Sequence, residues 1–358
     1  MQRLRLAFCL FAYRPYGGLQ RDFYRIAQVC AGRGHSIDVY TKEWQGAMPE
    51  NFNVHVLPAR GLRNHVRNRN FVRLVAGEIK AQKYDVVIGF NRMPGLDIYY
   101  AADPCYAARI KELHGPLYRL TARFRHSAVM ERAVFSPDSD AHILLISEKE
   151  LPRFTAHYNT PRERFRVLPP GIARDRQAPP DALRIREAFR KEFNLNEHDR
   201  LVLMVGSGFR TKGLDRAIRA LAALPDELRV RTRLMVVGDD KERPFRKLAG
   251  RLGAEGRVLF MQGQPDVTRF MLGADLLIHP AYSENTGTVL LEAIIAGLPV
   301  LATDVCGYAF HIERAQAGRV LASPFDQEKL NQELAYMLDA PERRVWSENG
   351  VRYGQQED

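Results

Sequence analysis

Ala274-Asp275-Leu276-Leu277-Ile278-His279-Pro280, running on through Ala281-Tyr282-Ser283 to Glu284-Asn285-Thr286-Gly287-Thr288-Val289-Leu290-Leu291-Glu292-Ala293, holds a strand, a turn and a helix in order. A short apolar run stopped by proline reads as a buried strand, and the small polar stretch around Gly287 as its turn. Residues 288–296 then carry helical periodicity, and 299–303 begin the next strand. Working outward, the same alternation fills the second half of the chain. Strands are expected at 200–206, 233–238, 258–262, 275–280, 299–303 and 318–322, and helices at 213–224, 242–252, 266–272, 288–296 and 326–338. The first half repeats it, with strands at 4–13, 37–41, 54–57, 84–90 and 142–147 and helices at 19–33 and 66–82. Strand–helix–strand repetition implies parallel sheets covered on both faces. Pro169-Pro170-Gly171 can continue neither a helix nor a central strand, so it divides the chain into residues 1–168 and 169–358. The expected fold is α/β, two doubly wound Rossmann-like domains facing each other across a cleft that holds the ligands.

Composition narrows the function. The chain has 358 residues, of which 46% are hydrophobic and 27% charged, which fits a folded domain pair and not a disordered chain. No window reaches the roughly 18 apolar residues of a membrane span. The apolar run 6–12 leads into Arg14-Pro15-Tyr16-Gly17-Gly18 and not into a cleavage site, so it reads as a first strand. Cys9, Cys30, Cys105 and Cys306 form no metal-binding spacing and are expected to be reduced, partly buried thiols of a cytoplasmic protein. No metal and no other cofactor is expected. Of the net charge of +11, residues 1–168 carry all, with 26 Lys+Arg against 15 Asp+Glu, while the remainder holds 27 of each. Such asymmetry points the first half at an anionic surface. Nucleic acid is not the expected partner, because no recognition helix, zinc site or aromatic platform is legible.

Three stretches carry chemistry. Gly17-Gly18, at the first strand-to-helix turn, lets the backbone approach a phosphate, and Asp22 falls in the following helix's first turn. The full GxGxxG fingerprint is absent, which argues against a nicotinamide dinucleotide. The equivalent turn of the second half, Val205-Gly206-Ser207-Gly208-Phe209-Arg210-Thr211-Lys212-Gly213, supplies Arg210 and Lys212. Two cations there can neutralise a leaving diphosphate in place of a metal ion. In the opening stretch Glu284 and Glu292 stand eight positions apart, about two helical turns, with Glu284 in the loop and Glu292 inside the helix. The exposed backbone N–H groups of Asn285, Thr286, Gly287 and Thr288 are expected to form an anion nest, with a carboxylate on each side for sugar hydroxyls.

ADLLIHPAYSENTGTVLLEAIIAGLPVLATDVCG, residues 274–307, resembles the donor-site signature of retaining GT-B glycosyltransferases, an E-x7-E motif followed by a G-x-P-V turn. PYGGLQRDF (15–23), VVIGFNRMPGLDIYYAADPCYAARI (86–110), LYRLTARFRHSAVMERAVF (117–135), VLPPGI (167–172) and HPAY (279–282) are similar to the lipopolysaccharide core glucosyltransferases among them. The resemblance covers essentially the whole chain. It implies transfer of a hexose, glucose by default, from a UDP-sugar to a heptose of a lipid-anchored lipopolysaccharide inner core, at the cytoplasmic face of the inner membrane. It places Gly17, Gly18, Lys212, Gly287 and Thr288 at the donor phosphates, Glu284 at the sugar hydroxyls and Glu292 at the ribose. Members often carry Arg where Thr211 stands, so Arg210 takes that charge from one position earlier or the contact is missing. Asn285 and Thr286 stand where relatives have small apolar residues, which leaves UDP-galactose and UDP-N-acetylgalactosamine open as donors. Asp103 matches an acidic position on the acceptor side, and with Asp22 it is assigned to acceptor orientation and electrostatics. Retention in this fold is attributed to front-face attack in which the leaving diphosphate accepts the proton, so no enzymic nucleophile is implied. A sugar-nucleotide epimerase with the same architecture is the alternative. Relatives continue with a helix that returns to the first domain, so GVRYGQQED implies a shortened C-terminus.

Residues 105–135 are expected to meet the anionic membrane. Arg109, Lys111, Arg119, Arg123, Arg125 and Arg132 face only Glu112 and Glu131 there, and Leu117, Leu120, Thr121 and Phe124 are expected to share one helical face. Arg119, Arg123 and Arg125 are the cations assigned to the surface.

Overall fold

The computed structural model describes residues 2–15, 17–113, 115–168, 171 and 176–356, and the chain divides into two compact units, residues 1–169 and 170–358. In the first unit seven strands run β1 (Arg5–Cys9), β2 (Ser36–Thr41), β3 (Asn53–Val56), β4 (Val86–Gly89), β5 (Ile98–Ala101), β6 (His142–Leu145) and β7 (Phe165–Val167). Their spatial order is β3-β2-β1-β4-β5-β6-β7, and every pairing is parallel. The helices are α1 (Gly18–Gly32), α2 (Asn64–Gln82), α3 (Tyr106–Leu113), α4 (Ala122–Phe135) and α5 (Leu151–Tyr158). Alternation along β1 shows why the sheet is covered twice. Leu6, Phe8 and Leu10 pack with Phe23 and Ala27 of α1, while Ala7 and Cys9 point to the other face, toward Phe71, Val75 and Phe135.

The second unit opens with α6 (Ala182–Glu192) and carries β8 (Arg200–Val205), β9 (Thr232–Val237), β10 (Val258–Met261), β11 (Leu276–His279), β12 (Val300–Thr303) and β13 (Gly318–Leu321). Their order is β10-β9-β8-β11-β12-β13, again parallel throughout. Helices α7 (Leu214–Ala222), α8 (Asp226–Arg231), α9 (Arg243–Arg251), α10 (Val267–Gly273), α11 (Thr288–Ile295), α12 (Ala309–Ala315), α13 (Gln327–Asp339) and α14 (Arg343–Gln356) complete it. α14 packs on α11, where a Cβ on Gly350 would lie 2.4 Å from the Ile294 carbonyl oxygen. The two carbonyl-end reversals, between β1 and β4 and between β8 and β11, are the topological switch points at which such sheets bind ligands.

Strands β5 and β7 and helices α5, α8, α12 and α14 are additions to the sequence expectation. The basic segment is a correction. A 3-10 turn spans Pro116–Leu120, Thr121 caps the next helix by accepting from the Phe124 amide at 3.1 Å, and α4 starts only at Ala122. Residues 117, 120, 121 and 124 therefore do not share a face of one helix. The far end of α4 is fixed by Arg164, which donates to the carbonyls of Val134, Ser136 and Ala141 at 2.5, 2.7 and 2.9 Å. Cys9, Cys105 and Cys306 are buried and unbridged, and burial pushes the Cys9 thiol up to about 12.

Candidate active site

At the second switch point the turn after β8 meets the turn after β11. Gly206, Gly208 and Gly213 all hold positive φ, and a Cβ on Gly213 would lie 2.0 Å from the Pro280 carbonyl oxygen, so only glycine lets the two turns touch. Acidic residues after β9 fasten the first turn. Asp240 accepts from the Phe209 amide at 2.8 Å, and the Asp239 amide donates to Ser207 Oγ at 3.2 Å. The second turn hangs on its neighbours. Tyr282 donates its amide to Thr211 O at 2.8 Å, Thr303 Oγ1 donates to Ala281 O at 3.0 Å, and the Tyr308 amide donates to Thr286 O at 2.7 Å.

This scaffold brings Lys212 and Glu284 together, seventy-two positions apart in sequence, in a direct ion pair. His279, the last residue of β11 and wholly buried, places Nε2 3.5 Å from Glu284 Oε2. Burial opposes the charge on Glu284, but the imidazole and the ammonium outweigh it and hold its carboxyl at about 2. Burial in turn presses His279 below its ordinary value, against the pull of Glu284. His279 is a candidate site residue to which the sequence reading gave no role; its signal is a lone imidazole closing an otherwise apolar strand at a switch point. Glu292 lies inside α11 as the spacing requires and is buried. Gly287 is the N-cap of α11 with φ 77°, and Thr288 is its first residue. Asn285, Thr286 and Gly287 are buried, so the nest is recessed and not an exposed edge. Arg210 is exposed, and Lys212 alone of the two cations reaches the carboxylate.

The first switch point is milder. Gly17 is the N-cap of α1, where a Cβ would strike Gln20 Oε1 at 1.9 Å, while Gly18 is open on that side. Asp22 lies one turn deeper than expected, beyond the first turn of α1, and accepts a hydrogen bond from Tyr100 Oη of β5 at 2.8 Å. Asp103 is exposed and does not cap α3. Two other carboxylates do that: Glu131 accepts from the Tyr106 and Ala107 amides at 2.7 and 2.9 Å, and Glu150 from the Cys105 amide at 2.7 Å. Glu131 is fully buried and pairs with Arg92 at 2.8 Å, and Arg92 also donates to the carbonyls of Asp103 and Pro104. The loop carrying Asp103 is thus set by a buried ion pair.

Because Glu131 is committed inside, it does not offset the cations outside. Arg119, Arg123 and Arg125 are exposed, and Leu117 and Leu120 beside them are 78% and 71% exposed, while Phe124 packs on Tyr106 and Tyr118. Among the described residues no helix is long and apolar enough to cross a membrane, and no three His, Cys, Asp or Glu side chains gather in a metal-binding group.

Comparison with known proteins agrees with this geometry. Residues 185–352 match the model of glycosyl transferases group 1, and residues 16–176 that of glycosyltransferase family 4. The chain is 48% identical over 354 residues to the lipopolysaccharide glucosyltransferase WaaG of Escherichia coli K12, covering 99% of this chain and 95% of that protein. A crystal structure of WaaG superposes with a TM-score of 0.96 over 99% of this chain and 96% of that one. Anabaena HepE, solved with UDP-glucose, is 19% identical with a TM-score of 0.75 over 99% and 95% of the two chains, a likeness of fold. With two Rossmann-like parallel-sheet units and these relatives, the chain belongs to the group 1 glycosyl transferases of GT-B fold.

Proposed function

We propose that the protein is a retaining, UDP-sugar-dependent hexosyltransferase that moves glucose onto a heptose of the lipopolysaccharide inner core without a metal ion. The observation that carries this reading is the convergence of Lys212, His279 and Glu284 at the switch point of a chain 48% identical to a lipopolysaccharide glucosyltransferase. Lys212 and Arg210 meet the diphosphate, the nest at Asn285–Thr288 receives its oxygens, Glu292 holds the ribose and Glu284 accepts from the sugar hydroxyls. The leaving diphosphate takes the acceptor's proton on the front face. Charge then builds up on the phosphate side, where cations and backbone N–H groups are already fixed, which is the arrangement that lowers a barrier most. Asp22 and Asp103 orient the acceptor. The buried polar side chains of Asn285 and Thr286 favour galactose or an N-acetylated hexosamine as the second reading of the donor.

The segment around Arg119, Arg123 and Arg125, with its exposed Leu117 and Leu120, holds the enzyme at the anionic cytoplasmic face of the inner membrane, each cation contributing roughly 1 kcal/mol. The decisive assay offers UDP-glucose, UDP-galactose and both UDP-N-acetylhexosamines with lipid-bound heptosyl acceptor in excess EDTA. Glucose transfer with retained configuration is the expected result; donor remaking without transfer is the epimerase outcome, and activity restored only by Mg²⁺ or Mn²⁺ refutes the cation clamp.

A further inference from the structure

Helices α2 and α4 open a groove of about 770 Å³ between their first turns, well away in the sequence from every residue assigned to the donor. That volume lies in the range of roughly 300–1,000 Å³ that accommodates a small organic ligand. Arg63, His65 and Asn68 line one wall, and Arg123 and His126 the other; no lining residue is acidic. An ordinary solvated face mixes both signs of charge. Here two arginines and two histidines share one cavity with no carboxylate among them. The His65 and His126 ring centroids stand 6.4 Å apart, and His126 is lowered by burial, with His65 and Arg69 adding to it. Lys42 donates to Asn68 Oδ1, so what that amide still has to offer a ligand is its N–H groups. Neither helix has an acidic residue in its first turn, so nothing on the helices neutralises their positive ends.

Two guanidinium groups that share a cavity with no carboxylate repel each other when it is empty and favour an anion between them. Two guanidinium groups from opposite walls match the bidentate geometry of phosphate oxygens, and imidazole and amide N–H groups complete the shell. We propose that this groove binds a phosphate-bearing group, a mono- or diester, gripped by Arg63 and Arg123 and hydrogen-bonded by His65, Asn68 and His126. The cavity exceeds a single phosphate, and Leu62, fully exposed on its rim, offers apolar contact to whatever carries it. A phosphorylated sugar and a phospholipid headgroup share this chemistry.

The test follows the imidazole signals of His65 and His126 in the full chain by NMR, assigned through His65→Asn and His126→Asn, so that phosphate bound at the donor site is not counted. Inorganic phosphate and glycerol phosphate are titrated in one arm. In the other, vesicles with and without phosphatidylglycerol are sedimented with the protein. Saturable shifts weakened at least tenfold by the Arg63→Gln/Arg123→Gln pair, with an unchanged melting temperature, support a site for soluble phosphate esters. Loss of binding to anionic vesicles with Arg63→Gln alone, without response to the soluble anions, supports a headgroup site; the single variant is used there because Arg123 is already assigned to the membrane surface. No saturable shift, together with vesicle binding that Arg63→Gln leaves unchanged, overturns the proposal. Because neither arm uses a UDP-sugar, failure here is separable from failure of the transferase reading.

Discussion

At the switch point of the second sheet a carboxylate, an ammonium and an imidazole converge, whereas at that of the first Asp22 is held by a phenol and Asp103 faces solvent. Both units use the same strand order around the reversal, so the difference lies in what the turns carry. The second unit fixes formal charges in place at its turn. The first unit keeps its ion pair deeper, at Arg92–Glu131, where it shapes a loop and a helix end. The lesson is that equal topology licenses a site at both places, while the turns differ in electrostatics: one gathers formal charges and the other turns a carboxylate to solvent.

The largest effect expected from breaking this contrast is on stability, in the first unit. Glu131→Ala removes one partner of a fully buried pair and strands Arg92 together with two α3 amides, at about 3–5 kcal/mol. Urea unfolding of the full chain measures it, and a loss under about 1 kcal/mol would mean that the buried pair is inert. Next comes Glu284→Ala, which should lower kcat roughly 10²–10³-fold while moving UDP affinity far less, because the lost bonds strengthen in the transition state. Equal losses in both quantities would make Glu284 a ground-state contact. The same residue gives an acid limb. Its folded value of about 2 lies below the unfolded 4.5, so its contribution, about 3 kcal/mol, is complete above the unfolded value and disappears as pH falls toward 2. Glu284→Gln should therefore narrow the stability difference between pH 5 and pH 2, read by denaturant melts at each pH. The smallest effect is Glu292→Ala, about 1.5–3 kcal/mol in UDP binding by titration calorimetry with turnover at saturation little changed. Unaltered affinity would remove it from the ribose.

Much of the second unit was legible because its strands are long apolar runs with glycine turns, and the pair Glu284/Glu292 announces itself by spacing. Shorter elements escaped. β7 is three residues cut off by Pro169, and β5 is four residues inside a stretch that reads equally well as loop. The α3 cap could not be read because Glu131 and Glu150 sit 25 and 45 positions from the amides they bind. Local patterns specify period and turns, while long-range hydrogen-bond partners follow from the packed fold. The basic segment failed for a nearer reason: Pro116 and the Thr121 cap divide it, so its helical period restarts at Ala122.

Arg164 gives α4 a built-in end. With its final carbonyls bolted to the β7 edge and its first turn emerging beside exposed leucines, the helix is a propped beam about 20 Å long, at ~1.5 Å per residue. Its second support is Glu131, which ties the middle of the helix to Arg92 and to the first amides of α3. Severing the end support with Arg164→Met would leave the outer cations in place and the helix hinged on Glu131, so a load near Arg123 would fall on the Arg92 pair and on the loop that carries Asp103.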